Sequence, residues 1–318
     1  MLKKKEKLEK QKEQNKETEN KIGIKEKIKR FLKNKKAVAM LMEYIITIEC
    51  FAMLFLLIAP EEVKAATSTA DANGITWAYT LSNGQATNVY YRSGTLGETV
   101  EIPASLSDGT NEYPVVSLYK SSFSNISNTT VKKVIIPEGV TSIGSYAFFK
   151  CSSLTSVVIP SSVTSIGDYV FDGCSSLTSV VIPEGVTSIG VRTFADCSSL
   201  MSIEIPSNVT SIGGNAFSSC SSLTSVNIPS SVTSIGQRAF GGCSSLTSLI
   251  VNENNQNYSS ENDIIYNKDK TTLIQCAGGR EGEVNIPSTV TRIGNYVFDG
   301  CSSLTSVVIP EGVTRIGG

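Results

Sequence analysis

Apolar positions recur along the second half of this chain with a step of 23 residues. In the unit that starts at Cys151, Leu154, Val157 and Ile159 are spaced for a short extended segment with its apolar side inward. Pro160 ends that segment, because proline donates no ladder hydrogen bond. Val163 and Ile166 predict a second short inward segment, and Gly167 a turn after it. Tyr169 to Gly173 reads as one helical or 3₁₀ turn that drops Phe171 into the core, and Cys174 opens the next unit. The same step carries Cys151 to Cys174, Cys197, Cys220 and Cys243, Pro137 to Pro229, and Phe148 to Phe240. From Cys243 the next member, Cys301, lies 58 residues on, which is two units plus 12. Register returns at Pro287, Ile293, Phe298 and Pro310.

A repeat of this length is one coil of a stacked array. The few large apolar side chains of a single coil recover less free energy than fixing its backbone costs, so stacking is obligatory. The expectation is a mainly β repeat solenoid: a right-handed coil of 23-residue units with short parallel strands and short helical turns, over residues 131–318. Upstream, Ile75–Leu81 and Ala86–Arg92 flank Ser-Asn-Gly-Gln, a hairpin signal. Val115, Leu118 and Phe123 repeat the spacing of Val140, Ile143 and Phe148. Residues 66–130 are therefore read as an N-terminal cap with a hairpin and degenerate first coils, with Trp77 packed inside. Within the irregular stretch 252–282, Ile264–Tyr266 and Thr272–Ile274 flank Asn-Lys-Asp-Lys and predict a hairpin bulging from the array. That insert is a variant coil first and a binding loop second. The chain stops at Gly318 mid-unit, so the last coil reads as an open edge capable of self-association.

Charge divides the chain. Residues 1–36 hold 15 basic and 6 acidic residues, and the rest hold 13 and 23. A basic head on an acidic body fits a membrane-targeting leader, and the body has no basic patch to attract nucleic acid. Residues 37–65 contain the one long apolar run, interrupted by Glu43 and Glu49, followed by Val63-Lys64-Ala65-Ala66. Two readings stand: an export signal cleaved after Ala65 or Ala66, which is favoured, and an uncleaved membrane anchor. Both leave the basic head in the cytoplasm and the body outside, so the protein is expected to be secreted or on the cell surface, touching membrane only through its leader. The sequence contains no histidine, which removes Ser-His-Asp and Cys-His catalysis and every His-ligated metal. No phosphate-binding or dinucleotide-binding glycine motif is present. The expectation is a protein that is not an enzyme and uses no cofactor.

The pattern Cys-x-x-Leu-x-x-Val-x-Ile-Pro-x-x-Val-x-x-Ile-Gly-x-x-x-Phe, as at Cys151–Phe171, resembles the BspA-like branch of leucine-rich repeats, over about residues 99–318. The resemblance implies a surface-exposed role in adhesion or protein binding and brings no catalytic residues. The chain departs from the general leucine-rich pattern where asparagine is usual, with Ser162, Gly185, Asn208 and Ser231 there instead.

Candidate contact residues lie where the units differ. Strand positions two and five should point outward. The first is a hydroxyl column interrupted by Met201, and the second an apolar column interrupted by Glu204 and Asn227. A solvated sheet surface would look the same as a docking face for protein or glycan. After the glycine, the variable sites include Tyr146, Tyr169, Arg192 and Arg238, a Tyr/Arg mixture that suits an interface or an unconstrained turn. Tyr258 and Tyr266 mark the insert. The partners expected are extracellular proteins or glycans, through adhesion-type binding; the alternative is a structural spacer or stalk presenting a further domain. Stacking would bring neighbouring ladder cysteines within disulfide range. Each then meets equivalent neighbours on both sides, so buried thiols are favoured. Cys276 lies off the ladder register. Asn125, Asn128, Asn208 and Asn257 begin glycosylation sequons.

Overall fold

The structure is a computed structural model that describes residues 68–70, 74–124 and 130–318. The leader, its cleavage point, and the sequons at Asn125 and Asn128 lie outside the described residues. No helix among the described residues is long and apolar enough to cross a membrane.

Successive coils are joined by three backbone ladders. The first joins the Leu-x-x-Val-x-Ile segments in parallel: Thr99–Glu101, Lys133–Ile135, Ser156–Val158 and Ser179–Val180 pair in register, with Val157 opposite Val134 and Val180. The same ladder resumes with Ser225–Ile228 on Ser248–Val251. The coil between, which carries Met201 and Glu204, has no strand at this position. The second ladder uses two-residue strands such as Ser142–Ile143, Ser165–Ile166, Ser188–Ile189 and Ser211–Ile212, each presenting serine outward and burying its isoleucine. The third runs through the segments after the glycine: Tyr146 N donates to Asp168 O at 3.0 Å, Phe148 N to Val170 O at 2.9 Å, and Lys150 N to Asp172 O at 2.7 Å.

This third ladder corrects the expected helical turn. Two residues per coil sit in the left-handed region, Tyr169 at φ 58° and Gly173 at φ 76° in one unit, and a helix cannot pass through them. Overlapping four-residue turns replace it, with Asp172 N on Tyr169 O and Cys174 N on Phe171 O. No α-helix occurs among the described residues.

The role of the repeat glycine also differs from expectation. Gly213 and Gly236 are not left-handed; a Cβ there would fall 2.6 and 2.4 Å from backbone atoms of the preceding coil. The glycine is required for close approach between coils, and the left-handed turn falls two residues later.

Inside, phenylalanines form a column. Phe123, Phe148, Phe171, Phe194, Phe217 and Phe240 stack with centroids 5.2–5.4 Å apart and planes within 13°. Trp77, from the antiparallel hairpin Thr76–Ser82 and Gln85–Ser93, meets Phe123 edge-on at 5.9 Å. Beside the column, each ladder cysteine from Cys151 to Cys243 is buried and aims its S–H at the phenylalanine carbonyl of the preceding coil, Cys174 on Phe148 O at 3.1 Å for example. At the expected asparagine position short polar side chains bond between coils: Ser162 to Val140 O at 2.8 Å, Asn208 to Glu184 O at 3.0 Å, Ser231 to Val209 O at 2.6 Å.

The insert is built into the wall of the solenoid and does not bulge from it. Tyr258–Glu261, Ile264–Asn267 and Thr272–Cys276 form an antiparallel meander whose last strand pairs in parallel with Arg292–Ile293. Ile264, Ile265, Tyr266 and Leu273 are buried. Buried Asn255 anchors the entry: its amide donates to Pro229 O and Val232 O, and its oxygen accepts from the Asn257 and Tyr258 amides.

Candidate interaction surface

Strand alternation decides the first surface. With Val157, Val180 and Val226 turned inward, their neighbours Val158, Val181 and Asn227 must face out. Parallel register stacks these neighbours into a column, Ile135 beside Val158 and Asn227 beside Ile250. Val158 is 45% exposed, Val181 78% and Ile250 47%, and Met201 nearby is 57% exposed. Glu204 and Asn227 are exposed and interrupt the apolar run. The missing strand at the Met201–Glu204 coil falls within this same face.

The second surface follows the third ladder. Tyr146, Tyr169, Arg192, Asn215, Arg238 and Tyr296 all take φ between 52° and 61°. A left-handed residue with a side chain costs on the order of 1–2 kcal/mol, yet the conformation recurs because inter-coil bonds hold both sides of it. The side chains stack in turn. Tyr146 lies face to face with Tyr169, with centroids 4.6 Å apart and planes 10° apart, and Arg192 lies 5.9 Å over the Tyr169 ring. Two acidic residues position Arg192: Nε is 2.5 Å from Asp172 and Nη2 is 2.8 Å from Asp196. Burial pushes the Asp172 carboxyl above its ordinary value despite the pull of Arg192, so the ion pair does not fully offset the desolvation. Arg238 lies 4.8 Å over the Tyr296 ring and holds Asp299 at 2.6 Å. Gly242 N donates to Asp299 O, so on this edge the coil of Arg238 sits directly against the coil of Tyr296, and the insert contributes no turn between them.

The structure therefore separates the sequence-selected residues into groups. Met201, Glu204 and Asn227 share the strand face. Tyr146, Tyr169, Arg192 and Arg238 share the turn edge. Tyr258 and Tyr266 are packing residues: the Tyr258 hydroxyl accepts from Ile235 N at 3.0 Å, and Tyr266 is buried, which pushes its hydroxyl pKa up to about 12. Tyr266 is thereby withdrawn from the contact surface expected of it. Sequence reasoning passed over Asp172 and Asp299, although both stand directly before a glycine in equivalent units. No group of His, Cys, Asp and Glu among the described residues could hold a metal ion.

Stacked coils with an inward Leu-x-x-Val-x-Ile segment in each define a leucine-rich-repeat solenoid. The BspA type leucine rich repeat region matches in six copies, over residues 116–247, 164–271 and 281–318, and the chain belongs to that family. A leucine rich cell surface protein from Faecalibacterium prausnitzii A2-165 is similar at 31% identity over 80% of this chain and 73% of that one, with a TM-score of 0.63. A leucine-rich repeat protein from Eubacterium ventriosum is 28% identical over 79% of this chain, which spans 62% of its length, with a TM-score of 0.55. The pneumococcal vaccine antigen PcpA shares the fold at 20% identity over 80% of this chain and 67% of its own, with a TM-score of 0.55. No curated protein sequence matches the chain.

Proposed function

We propose that the protein is exported, with residues 1–65 as its leader, and binds extracellular macromolecules through the strand face of the solenoid. The observation that carries this reading is the exposure of Val158, Val181 and Ile250 at equivalent positions of their coils, with Met201 exposed on a coil between Val181 and Ile250. Exposed apolar side chains on successive coils suit a protein partner, and each contributes about 1–2 kcal/mol when a partner covers it. Glu204 and Asn227 supply polar specificity within the same face. The family and its similarity to a leucine rich cell surface protein support an extracellular setting and a non-catalytic role.

Residues Lys64–Gly318 form a compact unit of their own, so a 66–318 fragment is the test object. Its binding is measured on a panel of extracellular-matrix proteins, glycans and intact host cells, beside a Val181→Asp/Met201→Asp variant. The expected result is binding to at least one protein ligand that weakens tenfold or more in the variant, since two desolvated apolar contacts are lost. Background binding across the panel, or equal binding by the variant, refutes the proposal.

A further inference from the structure

The core divides at the insert. One buried cluster runs from Ile75 as far as Ala277, and a second gathers Ile264, Tyr266, Leu273, Cys276, Val284 and their neighbours, with Cys301 packed against it. Two cysteines meet at the junction. Cys276 ends the strand Thr272–Cys276, and Cys301 opens the coil after Phe298.

Their environment departs from the rest of the ladder. Cys197, Cys220 and Cys243 each aim at a phenylalanine carbonyl one coil back, at 3.1, 3.0 and 3.0 Å. Cys301 instead approaches Ala277 O at 3.4 Å, and Cys276 approaches that same oxygen at 3.6 Å. The two sulfurs thus crowd one acceptor, and each perturbs the other's titration. Cys220 and Cys243 also contact each other, but both are fully buried between flanking coils. Cys301 is the one described cysteine with solvent access.

We propose that Cys276 and Cys301 form a disulfide when the protein meets a disulfide oxidant, such as oxidised glutathione or a thiol–disulfide oxidoreductase. The accessible Cys301 thiolate attacks one sulfur of the oxidant and expels a thiolate, leaving a mixed disulfide. The Cys276 sulfur, having lost its proton, then attacks the Cys301 sulfur and expels the second thiolate. Two electrons pass to the oxidant, and the two thiol protons leave with the departing thiolates or to water. The proximity of Cys276 favours this order, because it lowers the Cys301 pKa and raises the share of Cys301 present as thiolate. The bond closes a loop of 24 intervening residues and ties the end of the insert to the following coil. The ladder thiols from Cys151 to Cys243 stay reduced.

The full-length protein is incubated with oxidised glutathione, then alkylated, digested with trypsin without reductant and mapped by mass spectrometry. Peptides 271–280 and 293–315 are expected as one cross-linked species, about 2 Da lighter than their sum. Thermal unfolding before and after dithiothreitol should differ by roughly 5–10 °C, the shift of a loop closure of this length. A Cys276→Ser variant should instead accumulate Cys301 as a stable glutathione adduct, because the resolving sulfur is gone. Three results overturn the proposal: persistent glutathionylation of Cys301 in the unsubstituted protein, no modification at Cys301, or a dominant link between peptides 193–238 and 239–268, which would pair Cys243 with Cys220 or Cys197. The mapping needs no variant, so misfolding of Cys276→Ser would leave it decisive.

Discussion

Replacing Phe194 with leucine keeps most of the buried apolar volume at the centre of the aromatic column and removes only the ring. Phe194 stacks on Phe171 at 5.3 Å and on Phe217 at 5.4 Å, with planes 11° and 7° apart. With planes in contact at about 3.5 Å, a 5.3 Å centroid separation corresponds to a lateral slip of about 4 Å, the offset arrangement that aromatic quadrupoles favour. Each such pair is worth about 0.5–1.5 kcal/mol beyond its buried area, so Phe194→Leu should cost about 1–3 kcal/mol. Phe240 stacks on one described ring, Phe217, at 5.3 Å, and Phe240→Leu should cost about half as much. Phe194→Ala adds a cavity and should reach about 3–5 kcal/mol. The assay is urea unfolding of the 66–318 fragment, followed both by circular dichroism and by the fluorescence of Trp77, the single tryptophan. Coincident transitions would show that loss of one internal ring is felt at the hairpin end of the solenoid. Equal costs for Phe194→Leu and Phe240→Leu would refute the claim that ring-on-ring stacking couples the coils.

Three further outcomes follow from the backbone and from one buried acid. Ser219 is left-handed at φ 60°, where equivalent units carry Gly173, Gly242 and Gly300, so Ser219→Gly should raise stability by up to about 1 kcal/mol in the same urea assay. Gly213→Ala would push a Cβ to 2.6 Å from the preceding backbone and strain the 2.8 Å bond from Gly213 N to Ile189 O. A loss of about 1–3 kcal/mol is expected, against no loss for Gly312→Ala, whose added Cβ would meet only ordinary contacts. Because burial raises the Asp172 pKa above its unfolded value, the folded state binds this proton more tightly than the unfolded state does. The contribution of Asp172 to stability is therefore full below the ordinary carboxylate pKa and declines as pH rises through the raised folded value. Asp172→Asn should flatten that part of the curve of urea midpoint against pH, and an unchanged slope would count against a buried, titrating Asp172.

The repeat was legible because close packing of identical coils demands identical inward residues. Leu154, Val157, Ile159, Val163, Ile166 and Phe171 could be sorted by spacing alone, and all but the partly buried Ile159 are buried. The outward face at Val158 and Val181 followed from the same alternation. Other features were less legible because one residue type serves several ends. The repeat glycine looked like a turn former, yet it answers to backbone crowding between coils. Tyr169 looked like part of a helical turn, and the turn is instead held open by bonds to the next coil. Tyr266 looked like an exposed interface tyrosine, but the meander folds it inward.

Local order along the chain was enough to establish a stacked 23-residue coil, its inward columns and its outward columns, because each depends on residues within one unit. Which coils touch was beyond its reach. Arg238 and Tyr296 are 58 positions apart in a chain whose unit is 23, and nothing in their local sequence pairs them. They stack because the insert lends a strand to one wall and no turn to the other. The same detour brings Cys276 and Cys301 to one carbonyl oxygen. Such long-range pairings depend on how each coil closes in three dimensions, so they were decided by the tertiary fold and not by the periodic pattern.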